Sequence, residues 1–166
     1  MDAYLAIVSK RDTRRYAERE ISPDLERRIL EAGRLAGSAM NRQPWRFVVV
    51  GTPEARKRIA ETVYVPENVL GAKLVVAIVG SAGLDAGRCA QNMMLAAWND
   101  GVVSCPNGMP DAGLTAGALG LQGDERPAVV LSFGYPVTGH TGERRSADEW
   151  IARAERKPLD ELVERI

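Results

Sequence analysis

The stretch that decides the fold is Ala36-Gly-Ser-Ala-Met-Asn-Arg-Gln-Pro-Trp45, where a helical pattern ends and an apolar strand, Arg46–Val50, begins. Small residues in such a turn let backbone N–H groups approach a ligand closely. The side chains of Ser38, Asn41 and Gln43 add hydrogen-bond donors and acceptors beside an aromatic ring. The turn is therefore a candidate binding loop.

A basic segment, Lys10-Arg-Asp-Thr-Arg-Arg-Tyr16, lies upstream of this turn. Its cations suit the end of a short predicted helix, Ala3–Val8, because the C-terminus of a helix dipole is negative. The same cations suit a phosphate clamp, because a phosphate group is bound by charge-assisted hydrogen bonds. Taken alone, the segment leaves both interpretations open.

The rest of the chain alternates helix signals with unbroken apolar runs. Start signals predict helices after Ser22, Thr52 and Ser146, and the longest predicted helix spans Asp85–Asp100. Leu74–Val79 and Ala128–Phe133 do not alternate, so we expect helices on both faces of their sheet. With Arg46–Val50 they make about three strands, which is thin for an independent sheet. A further strand or a partner chain is expected to complete it.

Composition excludes several classes of protein. The chain has 166 residues, which predicts a single domain over residues 1–166. Its 22 basic and 22 acidic residues balance, which argues against a nucleic-acid-binding protein. No apolar run is long enough to span a membrane, and two cysteines give neither a disulfide framework nor a metal spacing. We therefore expect a cytoplasmic protein without a bound metal.

Together the basic segment and the turn resemble the signature of the FMN-dependent nitroreductase family. That signature has a basic Arg-Arg-Ser-x-Arg-x-aromatic motif, followed by a turn reading Ala-Pro-Ser-x-x-Asn-x-Gln-Pro-Trp. Asp85–Trp98 is similar to the family's long central helix, Gly101–Gly108 to the loop after it, and Arg156–Val163 to its closing basic motif. The resemblance implies an α+β fold with a central, mostly antiparallel sheet flanked by helices, in an interlocked homodimer.

The resemblance also implies a cofactor site shared by two chains. Lys10 and Arg156 would hold the FMN phosphate with help from Arg11, and Arg14 would lie near the pyrimidine side of the flavin. The turn of the second subunit would line the flavin, and backbone N–H groups after Cys105 would lie near flavin N5. The implied cofactor-binding residues are Lys10, Arg11, Asp12, Arg14, Gly37, Ser38, Ala39, Asn41, Pro106, Asn107, Gly108 and Arg156.

The sequence departs from the family pattern at several positions. Lys10 replaces an Arg and loses its bidentate fork. Asp12 replaces a Ser, and its carboxylate would repel a phosphate unless it pairs with Arg11, Arg14 or another cation. Gly37 replaces a Pro, which is expected to loosen the turn. The segment between Val50 and Leu74 is shorter than in many relatives, which predicts an open flavin face.

The resemblance implies an FMN oxidoreductase in which NADH or NADPH passes hydride to flavin N5. A nitroaromatic, quinone or similar small acceptor then replaces the nucleotide in a ping-pong cycle. FMN carries that chemistry, so no catalytic side chain is expected. His140 is expected to be a loop histidine, and Cys89 a buried core residue. Two alternatives stay open: a specialised enzyme of the same fold, such as a dehalogenase or an FMN-fragmenting oxygenase, and a flavin-binding protein without turnover.

Overall fold

A four-stranded antiparallel sheet with helices on both faces forms the centre of the computed structural model, which describes residues 1–80, 83–139 and 142–166. His140 lies outside these ranges. The helices are α1 (Ala3–Ser9), α2 (Pro23–Arg34), α3 (Pro53–Ala60), α4 (Pro66–Leu70), α5 (Leu84–Asn99), α6 (Ala112–Leu119) and α7 (Ala147–Ala152). The strands are β1 (Trp45–Val49), β2 (Leu74–Gly80), β3 (Val103–Asn107) and β4 (Pro127–Gly134).

The strands follow the order β1-β2-β4-β3, and each neighbouring pair is antiparallel. Phe47 of β1 is opposite Ile78 of β2, and Val76 of β2 is opposite Leu131 of β4. The prediction of an α+β fold with an antiparallel sheet is therefore confirmed.

Strand β3 corrects one prediction. Residues 101–108 were expected to form the loop after the long helix, but Val103–Asn107 pair with β4. The Ser-Cys-Pro-Asn-Gly sequence is typical of a turn, which hid the strand. Proline is tolerated there because β3 lies at the edge of the sheet, where one side of the strand needs no ladder hydrogen bond. The sheet thus has a fourth strand within the chain.

Alternate residues of β2 face two separate cores. Val76 and Ile78 are fully buried against α2 and α5, and Val75 and Ala77 are fully buried against α3 and α4. Because both faces of β2 are covered, its residues form an unbroken apolar run. The predicted helices on both faces of the sheet are confirmed.

The helices start where their caps predict. Ser22 Oγ accepts from Leu25 N at 3.3 Å, and Thr52 Oγ1 accepts from Ala55 N at 3.2 Å. Ser146 and Glu149 form a complete capping box on α7. No helix in the described ranges is long and apolar enough to cross a membrane.

Candidate functional site

The basic segment lies along the outer edge of β3. Asp12 forms a parallel bridge with Ser104, and Thr13 N donates to Ser104 O at 3.1 Å. Further on, Ala17 N donates to Tyr135 O at 2.8 Å, just after β4. The cations between these points are therefore held beside the strand that ends at Asn107.

Tyr16 anchors this segment in the core. Its hydroxyl is 2.8 Å from Ser132 Oγ on β4, and its ring lies against Gly134, where a Cβ would be 2.7–2.8 Å from Tyr16 carbons. Burial raises the pKa of the Tyr16 hydroxyl, and the hydrogen bond to Ser132 acts in the opposite direction. Tyr16 therefore stays neutral at physiological pH and serves as an anchor.

Two of the predicted phosphate ligands already have partners. The Lys10 ammonium pairs with Asp12 and lies 3.5 Å from Met94 Sδ. Arg11 donates to the carbonyls of Val8, Lys10 and Trp150 at 2.7–3.2 Å. The Asp12 carboxylate is thus balanced by a cation, as its position requires, and Arg11 ties α1 to α7.

Arg14 and Arg15 are the more accessible cations. With Asp12, Thr13 and the 136–138 loop they line a cavity of about 400 Å³. Among the described residues, neither guanidinium has a carboxylate within 4.0 Å. Sequence reasoning missed Arg15, although it directly follows Arg14 in the motif.

Asn107 joins the end of β3 to β4. Its Nδ2 donates to Cys105 O at 3.2 Å, to Val130 O at 3.1 Å and to Ser132 Oγ at 3.2 Å, and Ser132 in turn contacts Tyr16. The Asn107 side chain is therefore buried in the protein and does not face an open cleft. Pro106 and Gly108 on either side are exposed.

The turn after α2 is held by two hydrogen bonds and by packing against α5. Ser38 Oγ accepts from Gln43 N at 2.8 Å, and Asp85 Oδ2 on α5 accepts from Ala39 N at 3.3 Å. Arg88 lies against Gly37. These contacts join the turn to α5, and a looser turn at Gly37 stays a prediction. Met40, Asn41 and Gln43 all have φ of 50–53°, which non-glycine residues rarely adopt and which often marks functional sites.

Within one chain, the turn and the basic segment are separate. The turn contacts Asp85 near the start of α5, whereas Lys10 contacts Met94, nine residues further along the same helix. At 1.5 Å per residue these points are about 14 Å apart. Each chain therefore presents the two halves of the predicted site at different places along α5.

Arg156 lies on the C-terminal segment after α7. Its Nη1 donates to Ala154 O at 3.0 Å. Almost all of residues 153–166 are exposed, including Leu159 and Leu162. A role for Arg156 at the phosphate stays a prediction.

Both cysteine thiols are buried. Burial raises the pKa of Cys89 to about 11, and burial also raises the pKa of Cys105, although Arg14 beside it acts in the opposite direction. The interpretation of Cys89 as a core residue is confirmed. Within the described ranges no group of His, Cys, Asp and Glu side chains is arranged to hold a metal.

We expect both thiols to resist a disulfide reagent in the native protein at pH 8. At that pH only about a thousandth of Cys89 would be thiolate, the reactive form. Thionitrobenzoate release should be slow in buffer and rapid for both residues in guanidinium chloride. Fast native labelling of either thiol would contradict the burial.

Sequence reasoning also missed the two residues of α5 that support the turn. Asp85 and Arg88 were assigned only to the long helix. Their spacing of three residues placed them on one helix face, but the partner of that face depends on tertiary packing.

Known proteins resemble this chain in sequence and in structure. The sequence model of the nitroreductase family matches residues 7–82 and 80–135. The chain is 37% identical over 78 residues to a protein named NADH dehydrogenase from Thermus thermophilus. It is 30% identical over 111 residues to a protein named NADH dehydrogenase/NAD(P)H nitroreductase from Methanothermobacter thermautotrophicus. These matches cover 47% and 61% of this chain, and 38% and 58% of the relatives' own lengths.

Solved structures match over a larger part of the chain. A nitroreductase from Desulfovibrio desulfuricans in complex with FMN has a TM-score of 0.82 and 26% identity, covering 100% of this chain and 98% of that one. A nitroreductase family protein from Clostridium difficile also has a TM-score of 0.82, at 20% identity, covering 99% and 98% of the two chains. At that lower identity the likeness concerns the fold.

Proposed function

Because this chain belongs to the nitroreductase family, we propose that it is an FMN-dependent oxidoreductase that takes reducing equivalents from NADH or NADPH and passes them to a nitroaromatic, a quinone or a similar small acceptor. The observation that carries the proposal is the position of the basic segment along β3, where Asp12 bridges to Ser104 in the strand that leads to Pro106–Gly108. The names of the matched relatives and the FMN complex of the Desulfovibrio protein support the choice of reductant and cofactor.

The residues of this chain suit an FMN phosphate. Arg14 and Arg15 line one cavity with Thr13, whose hydroxyl can donate a further hydrogen bond. We propose that these residues, with Lys10 and Arg156, hold the phosphate and ribityl end. Lys10 would exchange its contact with Asp12 for one with the phosphate, and Arg11 would support the segment through its bonds to carbonyls.

When bound, FMN supplies the transfer of two electrons and a proton as hydride, which no protein side chain performs. The chain's own residues bind and orient. Asn107 fixes the end of β3 through its bonds to Cys105 O and Val130 O, so the following backbone N–H groups have a defined direction. Tyr64 N donates to Gly108 O at 3.0 Å, and the exposed Tyr64 ring lies beside that backbone as one wall of an open site.

We propose that two chains build each site as a homodimer. Apolar side chains that face solvent in one chain would be covered by the second. Leu35 at the end of α2 is 65% exposed, and Tyr4 and Ile7 on α1 are 59% and 57% exposed. This number of exposed apolar side chains is more typical of an interface than of free surface.

We expect the purified protein to hold one FMN per chain without a covalent bond. Its absorption spectrum should be that of oxidised flavin, NADH or NADPH should bleach it without oxygen, and a nitroaromatic or quinone should restore it. The measurements are anaerobic stopped-flow absorbance and identification of the flavin released by heat.

Each other outcome has a defined meaning. FAD, covalent flavin or no flavin in repeated preparations would overturn the cofactor assignment. Bound FMN that neither nucleotide bleaches would favour a flavin-binding protein without turnover. Loss of FMN itself under oxygen and reductant would favour the oxygenase alternative.

A further inference from the structure

Arg88 on α5 lies directly over Gly37 of the turn. A Cβ at residue 37 would lie 3.1 Å from Arg88 Cζ and 3.3 Å from Nη1, and closer still to Nη2. A side chain at residue 37 would therefore meet the end of the Arg88 side chain in this position. Glycine lets the guanidinium lie on the turn, at a position where the family turn usually carries proline.

Most of the hydrogen-bonding capacity of Arg88 is left unused. Asp85 is its one ion-pair partner in the described ranges, and Arg88 Nη1 to Asp85 Oδ1 measures 4.0 Å, too long for a hydrogen bond. The other oxygen of Asp85 accepts from Ala39 N. The Arg88 side chain is 50% exposed beside the turn.

Two further features make this place suitable for a negatively charged ligand. Arg42, on the same turn, is a second exposed cation. Leu84 and Met40 are exposed apolar side chains near the turn on which the Arg88 guanidinium lies. A carboxylate or phosphate on a flat apolar body would meet both kinds of surface, because the Arg fork binds such oxygens in a bidentate manner.

We propose that Arg88 is a specificity-determining residue that recognises an anionic oxygen group on the molecule entering the site. This inference rests on the proposed function, in which the turn lines the flavin. The group has two chemical sources: the carboxylate of an aromatic acceptor, or the 2′-phosphate of NADPH. In either case Gly37 provides the space and Arg88 the charge.

The test compares an anion with its neutral isostere. Benzoate and benzamide are titrated by calorimetry into the flavin-loaded protein and into Arg88→Gln. Benzoate should bind about tenfold more weakly or worse to the variant, the scale of a lost hydrogen bond to a charged group. Benzamide should change less than about twofold. In parallel, the ratio of kcat/KM for NADPH to kcat/KM for NADH is measured in both proteins. This ratio should fall about tenfold in Arg88→Gln if Arg88 binds the 2′-phosphate of NADPH.

Two matched variants separate position from charge. Gly37→Ala keeps Arg88 but forces the guanidinium away, so it should reproduce the benzoate or NADPH effect of Arg88→Gln. Arg58→Gln removes an exposed cation of α3, on the opposite face of the sheet from α5, and it should change both readouts by less than about twofold. Thermal unfolding of all three variants checks that they fold.

The outcomes distinguish this inference from the proposed function. A protein that holds no FMN overturns the proposed function and the inference with it. A flavin-loaded protein that NADH or NADPH bleaches, but whose benzoate affinity and nucleotide preference are unchanged in Arg88→Gln, overturns the inference alone. Arg88 would then only pack over the turn.

Discussion

Replacing Gly134 with alanine is expected to displace the basic segment and to release the flavin. The new methyl group would lie 2.7–2.8 Å from Cβ, Cγ and Cδ1 of Tyr16. Those atoms sit near the backbone of the segment, so the ring cannot rotate clear of the clash. Overpacking of this kind costs about 1–3 kcal/mol of folding stability. FMN affinity should fall by about tenfold or more, because Arg14 and Arg15 directly precede Tyr16 in the chain and would move with it.

The measurements are denaturant unfolding and FMN titration of the flavin-free protein. Gly117→Ala is the matched control, because residue 117 lies inside α6 and a Cβ there has nothing within 4 Å. That variant should be as stable as the parent or slightly more so, since alanine favours a helix by about 1 kcal/mol over glycine. Tyr16→Phe, which removes only the hydroxyl bonded to Ser132, should lie between the two. Parent-like stability and FMN affinity in Gly134→Ala would show that Tyr16 does not position the segment.

A mixed dimer of two inactive variants is expected to regain about half of the parent activity per dimer. One chain carries Arg14→Ala and Arg15→Ala in the basic segment, and the other carries Ser38→Trp in the turn. Each homodimer would have two damaged sites. In the mixed dimer one site combines the intact segment of one chain with the intact turn of the other, whereas the second site collects both defects.

The mixed species is isolated with two affinity tags after co-expression, and its FMN content and NADH oxidation are compared with both homodimers. Sites contained within single chains would give no intact site and no recovery. A flavin-loaded monomer in sedimentation would refute the dimer itself. Activity that depends on dilution would indicate that folding or flavin retention is linked to association.

Much of the architecture was predictable because local signals and burial agree. The helices after Ser22, Thr52 and Ser146 each have a cap that satisfies a free N–H, and the structure starts them there. The apolar run of β2 needed two covered faces and has them. Strand β3 escaped prediction because Pro106 and Asn107 have turn propensity, and pairing with β4 overrides it.

The site was predictable in part, for a similar reason. The motif spacing identified the basic segment and the turn, and the structure gives each a fixed geometry. The motif spacing did not indicate which cations are engaged by other residues of the chain, because those residues are remote in sequence. Arg11 donates to Trp150 O, and Lys10 lies near Met94. The contact between Gly37 and Arg88 likewise joins residues 51 positions apart, and no local pattern signals it.

The covering of one sheet edge has a consequence for handling variants. The outer edge of β3 is occupied at Ser104 by the backbone of Asp12 and Thr13. An uncovered strand edge is a template for pairing with other chains. Substitutions that detach residues 12 and 13 would therefore expose an adhesive edge as well as weaken ligand binding. Such variants will tend to precipitate during purification, and their low yield should be measured as aggregation before it is counted as lost catalysis.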